Sequence, residues 1–340
     1  MSPVAAVRVR PDGGAGDRRP DSTTAERPVR ERGETMRGNH QAARPLEDRV
    51  AVVTGAARGV GEALARSLSE AGMRVALLGR ERATLREAAE ALPGPSLCIE
   101  CDVTDRAALA DAARGVAAGL GPASVVVANA GIAVSGPFDR TAADLWQRVI
   151  DVNLTGSADT ARAFLPQLTS TRGYFLQIAS TAAFGAAPMM SAYCASKAGA
   201  ESFALALRGE VEPDGVQVGI AYLHWTGTDM LTGIDDHPVL EALRRNQPRP
   251  ARRVHSPAQV AQWLTRGVTH RSPQIYAPPW LRWCQPLRPL FPALVARAAR
   301  RELRSLPREE LSSPAEVLGA GGQADWNSFR TSRAASPPGG

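Results

Sequence analysis

The junction at residues 50–61 limits most strongly how this chain can fold. The apolar run Val50-Ala51-Val52-Val53 leads directly into Thr54-Gly55-Ala56-Ala57-Arg58-Gly59-Val60-Gly61. A helical pattern follows, with Leu64, Leu68 and Ala71 on one face and Gly72 as its stop. A short apolar run ending at glycine fits a strand buried on both faces. Glycine at 55, 59 and 61 permits a tight turn and lets main chain come close to a phosphate. The helix beyond the loop offers free N–H groups and a partial positive charge to an anion. A glycine string alone is weak evidence. Between a strand and a helix, at the head of a βα series, it is the context in which such a loop holds a dinucleotide pyrophosphate.

Further strand candidates lie at 75–78, 97–101, 124–128, 174–178, 218–223 and 274–276, with helical patterns between them. That alternation implies βαβ units on a mostly parallel sheet. Right-handed crossovers then give an α/β, Rossmann-type, doubly wound domain, expected over residues 46–277. Residues 1–45 and 313–340 are rich in Gly, Pro, Ala, Ser and Arg without an apolar period, so both read as structureless tails.

Charge is unevenly placed. The net charge is +6, but residues 249–304 hold eleven arginines against one acid, Glu302, which leaves the remainder acidic. Within that stretch, residues 278–312 form a basic arm with Trp280, Trp283, Leu287, Leu290 and Phe291. Three readings stay open: packing on the enzyme or a second subunit, peripheral membrane contact through 278–304, and nucleic acid, which ranks last and is not expected as a partner. Pro286, Pro289 and Pro292 argue against one continuous helix from Trp280. No apolar run is long enough to span a bilayer or serve as a secretory leader. The four cysteines suit a reduced, cytoplasmic protein. Cys98 and Cys101 form a C-x-x-C, but no second Cys or His pair stands at ligand spacing. They read as small core residues, and no metal site is expected.

Selection of NAD places an acid at the end of the second strand, to hold the ribose 2′-OH. Here Gly79 and Arg80 stand there, and Arg58 sits in the glycine loop. Two guanidiniums without an acid suit a 2′-phosphate, so NADP(H) ranks ahead of NAD(H). Downstream, Tyr193 and Lys197 stand four residues apart, on one face of a helix. A neighbouring ammonium is expected to lower the phenol's pKa from its ordinary value near 10, which suits general acid/base work.

With these motifs in order, the stretch from Arg49 to Met230 resembles the simple oxidoreductase branch of the short-chain dehydrogenase/reductase family. The resemblance implies an NAD(P)-dependent enzyme on a CH–OH group and a homodimer or homotetramer. It implies Asn153, Ser180, Tyr193 and Lys197 as catalytic residues. Tyr193 exchanges the proton, Ser180 binds the substrate oxygen, Asn153 supports a proton-refilling water chain, and Lys197 holds the nicotinamide ribose. It assigns Gly55, Arg58, Gly59, Val60, Gly61, Arg80, Asp102, Val103, Asn129 and Thr228 to the cofactor. Asp102 lies beside adenine, Asn129 steadies the sheet, and Thr228 meets the carboxamide. The family's Pro-Gly before that threonine is Leu223-His224 here. His224 reads as a loop histidine without catalytic duty. Phe184, Met189, Met190, Trp225, Met230, Leu231, Ile234, Val239 and Leu240 make an apolar pocket for a lipophilic small molecule plausible. NADP preference would favour carbonyl reduction.

Overall fold

The computed structural model describes residues 45–235, 238–245, 247–305 and 315–335. The tail expected over 1–45 lies outside them, save for Pro45. Seven parallel strands form the sheet in the order β3-β2-β1-β4-β6-β7-β8. They are β1 (Val50–Thr54), β2 (Arg74–Gly79), β3 (Ser96–Glu100), β4 (Ala123–Ala128), β6 (Tyr174–Ser180), β7 (Gln217–Leu223) and β8 (Gln274–Ala277). The short β5 (Ala133–Ser135) stands apart, antiparallel to β9 (Glu316–Leu318). The sequence order reverses between β1 and β4. At such a switch point two loops diverge at the carboxyl ends of the strands and leave a crevice for ligands.

Strands β1 and β4 are buried along their whole length, as continuous Val/Ala runs require when helices cover both faces. Helices α1 (Gly59–Glu70), α2 (Arg82–Glu90), α3 (Arg106–Gly119), α4 (Ala143–Ile150), α5 (Gly156–Thr171) and α6 (Ser191–Val211) supply most of the cover. Two separate apolar clusters result, one on each side of the sheet. Cys101 belongs to one cluster and Cys98 packs against the other. An odd spacing on a strand turns two side chains to opposite faces. This C-x-x-C therefore makes neither a disulfide nor a shared ligand pair, and both thiols are free. Among the described residues no group of His, Cys, Asp or Glu could hold a metal, and no helix is long and apolar enough to cross a membrane.

The basic arm packs on the domain. A three-ten helix runs over Pro279–Leu290, and an α-helix follows at Phe291–Ser305. The prolines divide the two, since they remove amide donors from the interior of a regular helix. One expectation fails. Residues 316–335 are not structureless: they form β9 and a helix at Gly319–Ala335. The composition misled because β9 has only three residues, and their burial depends on β5, which lies far away in sequence.

Candidate active site

One cleft of about 1660 Å³ runs along the carboxyl ends of the strands. Gly55, Arg58, Gly59, Val60 and Gly61 line one end, with Gly79, Arg80, Asp102, Val103, Asn129 and Thr228. Ser180, Tyr193 and Lys197 line the other. Asn153 is fully buried behind this wall.

The glycine loop is built around absent side chains. Gly55 and Gly59 have φ of 63° and 62°, the left-handed region that glycine enters without steric cost. A Cβ on Gly61 would lie 2.2 Å from the carbonyl oxygen of Gly55 and 2.6 Å from Asn129 Nδ2. Asn129 in turn donates to the carbonyls of Thr54 and Gly55, at 2.9 and 3.2 Å. It ties the end of β4 to the loop. No side chain caps the start of α1, so its first amides remain available to an anion. This cradle fits a dinucleotide pyrophosphate.

The ribose end departs from the expectation of arginines without acids. Arg58 pairs with Glu81 and lies 3.7 Å from Asp229. Arg80 pairs with Asp325 and lies 3.4 Å from Asp102. Arg148 reaches Asp102 at 2.8 Å and both carboxylate oxygens of Asp325 at 2.9 Å. Burial opposes ionisation of Asp102, but the Thr104 amide and the Arg148 guanidinium outweigh it and hold its pKa low. Sequence reading missed Glu81, Arg148, Asp229 and Asp325. Glu81 stands one residue past Arg80 and was the legible one. Arg148 is buried on a helix with no local partner, and Asp325 comes from 177 residues away.

At the other end, Ser180 closes β6 and Tyr193 enters from the first turn of α6. Ser180 stands beside the phenol and acts to lower its pKa. Lys197 Nζ lies 5.8 Å from the Tyr193 ring centre and donates to the Ile178 carbonyl at 3.1 Å. Burial pushes Tyr193 up to about 12, against the lowering by Ser180, and pushes Lys197 down to about 8. The expected lowering of the phenol is thus reversed in the protein alone. Lys197 spends its hydrogen bond on main chain, and desolvation disfavours both charged forms.

Asn153 lies in a single π-helical turn, Asp151–Thr155, between α4 and α5. Its Oδ1 accepts from the Ile132 amide at 2.8 Å, and its Nδ2 donates to the Ile132 carbonyl and to Ser196 Oγ, both at 2.9 Å. A Cβ on Gly131 would meet both Asn153 Oδ1 and Lys197 Nζ, at 3.2 and 3.4 Å, so these groups converge. Beyond Tyr193 the wall is apolar, with Phe184, Met190, Trp225, Leu231, Ile234 and Leu240. Met189 is absent from this lining, because its φ of 66° belongs to a turn whose carbonyl accepts from Gly136. The arm adds Trp280, Leu281, Phe291, Leu294 and Val295. His224 also borders the cleft, bonded to Thr181 Oγ1 at 2.9 Å and to the Ala251 carbonyl at 2.7 Å. Burial pushes its pKa down to about 4.

The short chain dehydrogenase family model matches residues 49–238, more than half of the chain. The chain belongs to the short-chain dehydrogenase family. It is therefore an oxidoreductase acting on a CH–OH group with a nicotinamide nucleotide. A Xanthobacter autotrophicus protein named inactive 2-(S)-hydroxypropyl-CoM dehydrogenase 2 is 35% identical over 204 residues, covering 58% of this chain and 88% of its own. An uncharacterized oxidoreductase of Staphylococcus epidermidis is 32% identical over 191 residues, covering 56% and 83%. An NADPH-bound short-chain oxidoreductase of Pseudomonas aeruginosa with an atypical catalytic centre superposes with a TM-score of 0.62 at 27% identity, over 68% of this chain and 95% of its own. A metagenomic short-chain oxidoreductase in complex with NADP gives 0.55 at 28%, over 66% and 92%.

Proposed function

We propose that this enzyme interconverts a carbonyl and a secondary alcohol with NADP(H), chiefly as a reductase of a lipophilic substrate, with Tyr193 as general acid/base. One observation carries the reading: a single cleft joins the glycine cradle to Ser180 and to a phenol beside a buried ammonium. When bound, the nucleotide supplies or accepts the hydride. Tyr193, pushed up to about 12, keeps its proton at neutral pH and is ready to give it to a carbonyl oxygen. Preference for NADP(H) favours reduction. Ser180 donates to the same oxygen as negative charge develops. Lys197 holds the nicotinamide ribose, and its positive charge favours the phenolate left after proton transfer. Both amide protons of Asn153 are spent on Ile132 and Ser196. Its part in a water chain is thereby narrowed to Oδ1, and it acts mainly by positioning Ile132.

Gly55, Gly59, Val60 and Gly61 bind the pyrophosphate, Asp102 and Val103 border the adenine, and Thr228 meets the carboxamide. Arg58 and Arg80 choose NADP(H) over NAD(H), a choice supported by the NADP and NADPH held in the two solved relatives. The apolar wall selects a lipophilic substrate. The chain pairs with further copies of itself through the exposed face of α6, where Ala195 and Ala198 permit close approach. It works in the cytoplasm. The arm packs on the enzyme and leaves Trp283, Leu287 and Leu290 exposed among its arginines, a surface open to peripheral membrane contact.

The second reading is a catalytically inactive NADPH sensor or scaffold, which the relative named inactive supports. Hydride transfer decides between them, followed by NADPH absorbance against lipophilic ketones. Tyr193→Phe is expected to keep nucleotide binding and lose at least about a hundredfold in turnover, the lower end for acid/base catalysis. Wild-type protein that binds NADPH and reduces no carbonyl would instead establish the sensor.

A further inference from the structure

Beyond the end of β2, four charged side chains form a closed set. Arg80 and Arg148 face Asp102 and Asp325. Arg80 and Asp102 follow the ends of β2 and β3, Arg148 stands on α4, and Asp325 comes from the C-terminal helix. Asp325 is 8% exposed and Arg148 5%. Arg148 grips both carboxylate oxygens of Asp325, the fork that guanidinium offers to carboxylate and phosphate alike. Arg80 binds that carboxylate and also the Asp325 carbonyl, the latter at 3.3 Å.

The segment is fitted to this seat along its length. Strand β9 pairs with β5 from Ala133 to Ser135. A Cβ on Gly136 would lie 2.5 Å from the Cα of Ala315, and one on Gly319 would lie 2.7 Å from the Met230 amide nitrogen. A Cβ on Gly321 would touch the Arg58 side chain. Phe329 lies under the Arg148 guanidinium at 5.2 Å and stacks on Trp326. Gly319, Gly321, Ala324 and Asp325 thus form a wall of the same cleft as the glycine loop.

The end of β2 is where a Rossmann domain sorts its nucleotides, by an acid for the 2′-OH or an arginine for the 2′-phosphate. We propose that Asp325 is a specificity-determining residue, a tethered carboxylate that holds Arg80 in the place of the cofactor's 2′-phosphate, so that NADP(H) must displace residues 316–335 while NAD(H) need not. This rests on the reading of Arg80 as the phosphate partner. With Asp325 seated, two guanidiniums are balanced by two carboxylates, and a phosphate would enter as uncompensated negative charge. With Asp325 withdrawn, Arg80 is free to take it.

The test uses the full chain, with NADPH and NADH titrated separately by nucleotide fluorescence. Asp325→Asn is expected to tighten NADPH at least tenfold and to change NADH less than threefold. Hydrogen exchange on the wild-type protein supplies a readout independent of that variant's folding. NADPH should speed exchange of the amides of 316–335 at least tenfold, and NADH should leave them protected. An unchanged NADPH affinity in Asp325→Asn, with NADPH bound by both proteins, would overturn the proposal and leave the NADP(H) reading standing. So would slowed exchange with NADPH, which marks a clamp over the cofactor. If both proteins bind NADH alone, the phosphate reading of Arg80 fails, and this proposal with it.

Discussion

Arg288→Met separates the arm from the catalytic helix with little change in volume. Arg288 pairs with Glu201 on α6, donates to the Ala183 carbonyl at 2.8 Å and covers the Phe184 ring at 4.9 Å. The Glu201 side chain is 4% exposed, and its other partner is the Tyr222 hydroxyl at 2.6 Å. Removing one partner of a buried pair costs about 3–5 kcal/mol, because the other charge stays desolvated. The Arg288 side chain is 29% exposed, so solvent already screens part of the attraction, and about 2–3 kcal/mol is expected. For a domain of this size that lowers Tm by roughly 4–12 °C. A double-mutant cycle isolates the pair. Glu201→Gln with Arg288→Met should recover at least about 1 kcal/mol in urea unfolding, within the range for contacting residues. A coupling below about 0.5 kcal/mol, or an unchanged Tm in the single variant, would refute the account of how the arm is anchored.

Other outcomes follow from the same geometry. Gly61→Ala places a methyl 2.2 Å from the Gly55 oxygen, so the loop must shift; NADPH should bind more weakly in titration, and turnover should fall by about a hundredfold, the size a 1 Å misplacement can cost. Lys197 keeps its ammonium below about pH 8 and loses it above. The kcat/KM for NADPH in carbonyl reduction should therefore hold level to about pH 7.5 and fall above 8, and a profile flat to pH 10 would contradict the assignment. Serine at Trp283, Leu287 and Leu290 together should abolish flotation with anionic liposomes while leaving the melting curve in place, since these side chains are exposed.

The parts legible in the sequence are those whose partners lie nearby or whose pattern repeats. Val50–Val53 and the glycines at 55, 59 and 61 announced β1, its turn and α1, because buried parallel strands and left-handed turns leave few alternatives. Tyr193 and Lys197 share a face through helical period alone. Long-range fit left no such mark. Arg148 reads as a surface charge until Asp325 is brought to it, and β9 is only three residues of strand until β5 pairs with it. The phenol's direction was misread for a related reason. Spacing shows that Lys197 is near, but not that burial and the Ile178 carbonyl take most of its influence.

The widened turn at Asp151–Thr155 carries a constraint of its own. A π turn holds one residue more than the α-helical path would use, and here it brings one amide against both the N–H and the C=O of Ile132. Deleting any residue between 151 and 155 would return the helix to its ordinary winding. The side chains of α4 and α5 would keep their faces, because the turn gives up only the residue it holds in excess, and what would be lost is the pairing of Asn153 with Ile132. The surplus residue thus serves one contact, and a regular helix here would keep its packing while releasing the chain between β4 and β5.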